Sequence, residues 1–138
     1  MPRGDTRTPA GGLVAYEWCV LRVVPRVERC EFVNAGAVVY SRAGDVLVAG
    51  VELDAGRALA LDAGLDVAAV RRHLDVVTAV CAGRHPATSA MPPGARFRWL
   101  TAARSTVVQA SPVHTGLSLD PTSELERLLD SMVRPLQD

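Results

Sequence analysis

An acid, an amide and a glycine stand close together in residues 31–36, between two strongly apolar segments. Glu31 could act as a base or a hydrogen-bond acceptor, and Arg22, before the intervening connection, could bind a carboxylate or a phosphate. Asn34 could hydrogen-bond the turn, and Gly36 would permit close approach of another backbone. The same residues suit a structural role in which Arg22 and Glu31 form an ion pair that fixes the connection. We expect the structural role first and ligand binding second.

A second polar group contains Arg104 and Ser105, followed by Ser111 and His114. A serine near a histidine suggests nucleophilic catalysis, but no elbow glycines surround either serine and no third member of a triad can be identified. Pro112 also leaves the relative directions of Ser111 and His114 undefined. We therefore expect the Ser111 hydroxyl to close a strand end, and we assign no catalytic residue. The candidate binding residues are Arg22, Glu31, Asn34, Arg104, Ser111 and His114.

A metal site is not predicted. Cys81, His85 and His73 lack carboxylate or thiolate partners at the spacing of metal ligands. No other feature of the sequence implies a cofactor.

Three arginines stand near an aromatic residue, a combination typical of single-strand nucleic-acid binders. They are Arg96, Arg98 and Arg104, close to Trp99. In a strand, however, Trp99 would lie on the opposite face from Arg96 and Arg98, so we expect it in the core. Net charge is zero and the pI is near 6.8, which also disfavours a nucleic-acid partner.

Composition narrows the chemistry further. All fifteen basic residues are arginine, which excludes Schiff-base chemistry, a lysine base and a Walker-type phosphate loop. Cys19, Cys30 and Cys81 are odd in number and widely spaced, which indicates a reducing cytoplasm and no disulfide framework. Residues 1–12 are polar and predict a disordered tail before one domain over residues 13–138. No apolar run approaches the length of a membrane span.

The first half of the chain predicts mainly strands. A strand over residues 14–24 has apolar residues on both faces and ends at Pro25. A hairpin follows, with strands over residues 32–40 and 46–53 joined by a five-residue turn. Residues 54–64 predict a connection with one helical turn or a short strand.

The second half predicts two helices and two further strands. Residues 66–82 form an amphipathic helix that Asp66 caps, and a last helix begins after Asp120. Between them we expect strands over residues 96–101 and 106–111, and loops over residues 84–95 and 114–119. Together these elements predict an α+β domain with about five mainly antiparallel strands and two helices packed on one face.

Several motifs in this order resemble the DUF3037 family of small bacterial proteins of unknown function. They are Tyr16 to Arg22, Pro25, residues 31–36, residues 96–101, Arg104 with Ser105, and residues 109–116. The resemblance covers residues 15–133, and Cys30 departs from the small or charged residue of the family. It implies no established activity. It does imply a frequent gene neighbour, a HipA-like serine/threonine kinase.

Two functions of different classes follow from these observations. The first is a non-catalytic protein-interaction or regulatory module whose partner is the neighbouring HipA-like kinase. The alternative is a small enzyme or ligand sensor that binds an anionic small molecule in an Arg/Glu/Asn/His pocket. The alternative requires the candidate residues to converge on one concave site.

Overall fold

The computed structural model describes residues 12–104 and 106–136. The predicted disordered tail, residues 1–12, lies outside this part except for Gly12. The described residues form one antiparallel sheet with helices, which confirms the predicted α+β class and strand number. The strands are β1 (Val14–Val23), β2 (Val33–Ser41), β3 (Val46–Val51), β4 (Val108–Ala110) and β5 (His114–Ser118).

Strand β1 lies in the middle of the sheet. β2 pairs along one side of it and β3 continues outward, whereas β4 and β5 follow each other along the opposite side. β1 is apolar on both faces because both faces are covered over much of its length. The predicted hairpin is confirmed, and Asp45 adopts a left-handed φ of 54° in its turn.

The pairing of β1 with β2 contains a bulge at Ala35. Leu21 pairs with Gly36 but Arg22 pairs with Asn34, so Ala35 has no partner on β1. Next to the bulge, β3 lies very close to β2, since a Cβ atom on Gly36 would lie only 2.5 Å from the carbonyl oxygen of Gly50. This confirms the close backbone approach predicted at Gly36.

In the described part of the chain, four α-helices accompany the sheet. They are α1 (Ala55–Leu61), α2 (Val67–Cys81), α3 (Pro93–Thr101) and α4 (Pro121–Leu128), and a π-helical turn (Leu129–Val133) extends α4. The predicted Asp66 cap is confirmed, since its carboxylate accepts from the backbone N–H of Ala69 at 3.0 Å. None of these helices is long and apolar enough to cross a membrane.

The helices lie on both faces of the sheet, so the prediction of helices on one face is wrong. Val23, Val80 and Phe97 belong to the larger core, beneath α2 and α3. Val39 and Leu128 belong to a second core beneath α4. The two cores are on opposite faces because successive residues of a strand point to opposite sides.

Residues 96–101 were predicted as a strand, but they belong to helix α3. The alternation of Arg96, Phe97, Arg98 and Trp99 resembles a strand pattern, yet the buried residues are Phe97 and Leu100, at helical spacing. Pro93 occupies the first turn, where its missing N–H costs no helical hydrogen bond. The tertiary contacts of Phe97 therefore override the short alternating pattern.

Two other segments also differ from the predictions. Residues 114–119 were predicted as a loop, but His114 to Ser118 form β5, whose order comes from pairing with β1 rather than from an apolar pattern of its own. Residues 54–64, predicted as a connection with one helical turn or a short strand, contain the longer, seven-residue helix α1, which Asp54 caps by accepting from Arg57 N at 3.1 Å.

Candidate functional site

Glu31 does not meet Arg22, so the predicted ion pair is wrong. It pairs with Arg29, whose Nε lies 2.7 Å from Glu31 Oε1 on the surface of the connection between β1 and β2. The hydrogen bond from Arg29 holds the pKa of Glu31 below its usual value. A short 3-10 turn, Val27–Arg29, and a left-handed Cys30 produce this local contact.

Arg22 and Asn34 are direct neighbours across β1 and β2. The guanidinium of Arg22 lies 4.3 Å from the centroid of the Phe32 ring. The side chain of Asn34 donates to the Met132 carbonyl oxygen at 2.9 Å, and not to its own turn as predicted. Arg22 Nε and Asn34 Oδ1 are buried atoms without a hydrogen-bond partner among the described residues.

Ser111 closes the junction between β4 and β5, as predicted. Its hydroxyl accepts from Val20 N at 2.8 Å and donates to the Pro112 carbonyl oxygen at 2.9 Å, while Ser111 N donates to Val20 O at 2.8 Å. The hydroxyl thus replaces a backbone acceptor where the chain passes from one strand to the other. Both hydrogen-bonding roles of this oxygen are occupied by the backbone.

His114 begins β5 and stacks on Trp18, with ring centroids 4.5 Å apart and an angle of 30° between the planes. The imidazole is exposed. The imidazole of His114 thus contacts the sheet by stacking on an aromatic residue of β1.

Arg104 lies beyond the end of α3. Its guanidinium is 4.4 Å from the Trp99 ring centroid, and Nη2 donates to the Trp99 carbonyl oxygen at 2.6 Å. The His85 ring is 5.9 Å from the same indole. Arg104 thus satisfies a carbonyl near the carboxyl end of the helix, where a positive charge is favourable.

The six candidate residues do not form one pocket. The structure brings Arg22 and Asn34 together, whereas each of the other four contacts a different residue: Arg29 for Glu31, Trp99 for Arg104, Val20 for Ser111 and Trp18 for His114. The cleft that Arg104 lines contains none of the other five. Their individual binding roles stay predictions.

The other two arginines of the predicted basic patch bind protein groups. Arg96 Nη1 donates to the carbonyl oxygens of Val80 and Cys81 at 3.0 and 3.1 Å, at the carboxyl end of α2. Arg98 donates two parallel hydrogen bonds, of 2.8 and 2.9 Å, to the Glu17 carboxylate. Each guanidinium thus has a partner within the fold.

The outer edge of β5 was not recognised from the sequence as a candidate surface. Among the described residues no strand pairs with this edge. Leu117 and Leu119 are 57% and 73% exposed, and Val113 is also exposed. The signal was present in the sequence as a run without Asp, Glu, Lys or Arg over residues 105–119.

Backbone groups of β5 also point outward. Val20 bonds to Ser111 through its N–H and its carbonyl, so even-numbered residues of β1 direct these groups toward this edge. Their partners on β5 are His114, Gly116 and Ser118. Thr115 and Leu117 lie between them and therefore direct their N–H and C=O groups away from the sheet.

A polar cluster joins β5 and β1 to helix α4. Glu124 accepts from Ser118 Oγ at 2.9 Å, from Arg127 Nε at 2.6 Å and from the Tyr16 hydroxyl at 3.3 Å. Burial raises the pKa of Glu124, but the hydrogen bonds from Arg127, Ser118 and Tyr16 outweigh it and leave this pKa below its usual value. The cluster fixes Ser118, at the end of β5, to α4, and it does not involve the outer edge of the strand, which stays unpaired among the described residues.

Metal-ligating side chains are not grouped in the described part of the chain, where no three His, Cys, Asp or Glu residues are placed to hold an ion.

Comparison with known proteins gives one match. The DUF3037 family, described as "Protein of unknown function (DUF3037)", matches residues 18–133. No curated protein and no solved structure matches the chain. Since the match covers far more than half of the 138 residues, it confirms the resemblance noted from the sequence motifs. The chain belongs to the DUF3037 family.

Proposed function

We propose that this chain is a non-catalytic protein-interaction module of the cytoplasm, which binds an extended segment of a partner protein along the open edge of β5. In this mode the partner adds a strand to the sheet and its main chain supplies the hydrogen bonds. Regulation of the partner would follow from occupation of that segment.

The uncharged edge of β5 is the observation that carries the proposal. Proteins protect sheet edges with charged residues, proline or covering loops, because an open edge pairs with other chains. β5 has outward N–H and C=O groups at Thr115 and Leu117, and it contains no Asp, Glu, Lys or Arg. The opposite edge strand, β3, is flanked directly by Asp45 and Glu52.

The surface next to this edge suits side chains of an added segment. Exposed Val113, Leu117 and Leu119 provide apolar contacts. On the face that carries Thr115, a depression of about 380 Å³ continues across β1 and β2 past Glu17 and Tyr40. An extended segment with apolar residues at alternate positions fits both features.

The sequence suggests two serines as possible partners of a histidine, and Ser105 lies outside the described residues. The contacts of the other, Ser111, and those of His114 support a non-catalytic role. The Ser111 hydroxyl binds two backbone groups, and His114 stacks on Trp18. Among the described residues, no side chain acts as a base toward the Ser111 hydroxyl, and His114 is not hydrogen-bonded to a nucleophile.

The partner implied by the family resemblance is a HipA-like serine/threonine kinase encoded beside this chain. The experiment is co-expression of the two proteins followed by affinity capture and size-exclusion chromatography. We expect one complex at micromolar concentration. Separate elution of the two proteins would refute this choice of partner.

Variants of β5 test the binding mode. Leu117→Lys adds a charge to the edge, and Thr115→Pro removes an outward N–H that makes no bond within the sheet. Both should abolish the complex, whereas Leu136→Lys, at a leucine that is 86% exposed and outside the sheet, should not. A complex that survives both β5 variants would show that the kinase binds elsewhere.

The alternative of a small enzyme or ligand sensor has support at one member of the predicted set only. Arg104 lines a cleft, and the composition of that cleft differs from the Arg/Glu/Asn/His pocket predicted from the sequence.

A further inference from the structure

A cleft of about 220 Å³ opens between α2, α3 and β4. Its floor consists of buried apolar side chains of three elements, Leu21 of β1, Val77 of α2 and Leu100 of α3. The indole of Trp99 forms part of the wall. A concave, mostly apolar surface with a few polar groups is typical of a small-molecule site.

Arg104 provides a preoriented cation at this cleft. The guanidinium plane is fixed by its 4.4 Å approach to the Trp99 ring and by the 2.6 Å hydrogen bond from Nη2 to the Trp99 carbonyl oxygen. Nε and Nη1 have no acceptor among the described residues. Nη2 keeps a second N–H beside the one that the Trp99 carbonyl accepts. Together with the N–H of Nε or Nη1 on the same edge of the guanidinium, it can bind a carboxylate through two parallel hydrogen bonds.

The other residues that line the cleft are also compatible with an anionic ligand. No Asp or Glu is among the described residues that line the cleft, so an incoming anion meets no like charge. Thr106 Oγ1 donates to Val108 O at 2.7 Å, and Gln109 Nε2 donates to Thr106 O at 2.8 Å. These bonds hold the rim in place beside Arg104.

The geometry points to a binding site for a small carboxylate with an apolar body, such as an aryl or branched alkyl carboxylate. The apolar body would occupy the floor of Leu21, Val77 and Leu100, and the carboxylate would bind Arg104. A cavity of roughly 150 Å³ accepts a benzene molecule, so this cleft has room for one ring or branched chain together with its acid group.

This site is separate from the proposed partner surface. The cleft lies beside β4, which pairs with Leu21 to Val23 of β1, whereas β5 pairs with Val14 to Trp18. Binding of a carboxylate and binding of a partner strand can therefore succeed or fail independently.

Isothermal calorimetry with the whole chain tests the inference. The probes are benzoate and 3-methylbutanoate, each compared with its uncharged amide. Because a hydrogen bond to a charged group contributes about 1.5–3 kcal/mol, we expect the carboxylates to bind about tenfold or more tightly than the amides. Failure of both carboxylates to bind at millimolar concentration, or equal binding of acids and amides, would overturn the inference.

Two variants locate the site. Arg104→Gln should weaken carboxylate binding about tenfold or more, and Ala102→Phe, at an exposed rim position, should fill the cleft and abolish binding. Arg42→Gln removes an exposed arginine elsewhere and should bind as the natural chain does.

Thermal unfolding of each variant separates loss of binding from loss of fold. Since Arg104 also satisfies a carbonyl at the end of α3, Arg104→Gln could reduce stability. In that case Ala102→Phe and the comparison of acid with amide on the natural chain decide the matter. Undiminished binding to a folded Ala102→Phe variant would place the ligand elsewhere and refute the assignment.

Discussion

Arg134 binds Glu52 across the edge of the sheet, with three guanidinium to carboxylate distances between 2.5 and 3.1 Å. The same guanidinium reaches Glu126 at 2.7 Å and Asp130 at 2.6 Å. Glu52 follows β3, and Arg134 follows the π-helical turn that extends α4. The network therefore joins the end of this turn to the end of β3. Shared between three carboxylates, it is a stronger connection than an isolated surface pair.

The network predicts an acid-dependent loss of stability. Hydrogen bonds from Arg134 lower the pKa of Glu52. A carboxyl whose pKa is lower in the folded state stabilises the fold above its unfolded pKa, and this contribution is lost as pH falls through the folded value. The melting temperature of Arg134→Gln should therefore be lower at neutral pH and should fall less than that of the natural chain between about pH 5 and pH 3.

Arg42→Gln is the matched control for Arg134, because Arg42 is exposed and no ion-pair partner is found for it among the described residues. Its pH profile should coincide with that of the natural chain. Parallel profiles for Arg134→Gln and the natural chain would show that Glu52 does not contribute to the acid sensitivity.

Phe97 and Phe32 offer the same substitution in opposite environments. Phe97 is fully buried and stacks on Tyr40 with ring centroids 5.2 Å apart, whereas Phe32 is 42% exposed. Phe97→Ala should reduce the free energy of unfolding by about 3–5 kcal/mol. Phe32→Ala, which removes the contact with Arg22, should reduce it by about 1 kcal/mol or less. Urea denaturation measures both values, and equal losses would contradict the burial of α3 against the sheet.

Gly36 and Gly56 should respond to alanine in opposite directions. A Cβ atom at Gly36 would meet the Gly50 carbonyl oxygen at 2.5 Å, so Gly36→Ala must displace β3 and should cost about 1–3 kcal/mol. At Gly56, in α1, the nearest atom is Asp54 Oδ1 at 3.5 Å, and Gly56→Ala should stabilise the helix by up to about 1 kcal/mol. Thermal or urea unfolding distinguishes the two, and a tolerated Gly36→Ala would disprove the close approach of β2 and β3.

The three cysteines should differ sharply in reactivity. Burial raises the pKa of Cys19 and of Cys81 to about 12, whereas Cys30 is exposed on the surface. At pH 8 only about one in ten thousand of a thiol with such a pKa is ionised. Iodoacetamide should therefore add one group to the native protein and three to the unfolded protein, measured by mass spectrometry. Cys30→Ser should remove the native adduct, and rapid labelling at a second position would contradict the burial of Cys19 and Cys81.

Segments with a long apolar pattern were predictable from the sequence. β1, the β2–β3 hairpin and helix α2 occupy nearly the predicted residues because each buries a continuous set of apolar side chains. The last helix was also predictable, since Asp120 and Pro121 mark its start. In these segments local preference and burial agree.

Elements that depend on distant contacts were not predictable. The buried residues of α3 are only Phe97 and Leu100. The neighbouring arginines produce an alternating pattern that is typical of a strand. The order of β5 depends on pairing with β1, about a hundred residues earlier in the chain, and β5 itself shows little alternation of apolar residues.

The six candidate residues do not converge on a single pocket, for a related reason. Glu31 accepts a hydrogen bond from an arginine two residues away, whereas Asn34 donates to a carbonyl ninety-eight residues away. Spacing in the sequence predicts neither partner. Spacing in the sequence gives only the separation of two residues along the chain. Which side chains meet in the fold depends on the face of the sheet on which each strand places them.

The extra residue at Ala35 determines which core receives each half of β2. Before it, Val33 contributes to the core beneath α2 and α3, and after it Val38 does so, while Ala37 and Val39 face α4. Loss of one residue here would rotate every later side chain of the strand to the other side. An alignment of relatives that opens a single-residue gap in this strand would therefore match residues that face one core with residues that face the other. A deletion there would exchange the faces of Ala37, Val38 and Val39, while the other elements keep theirs.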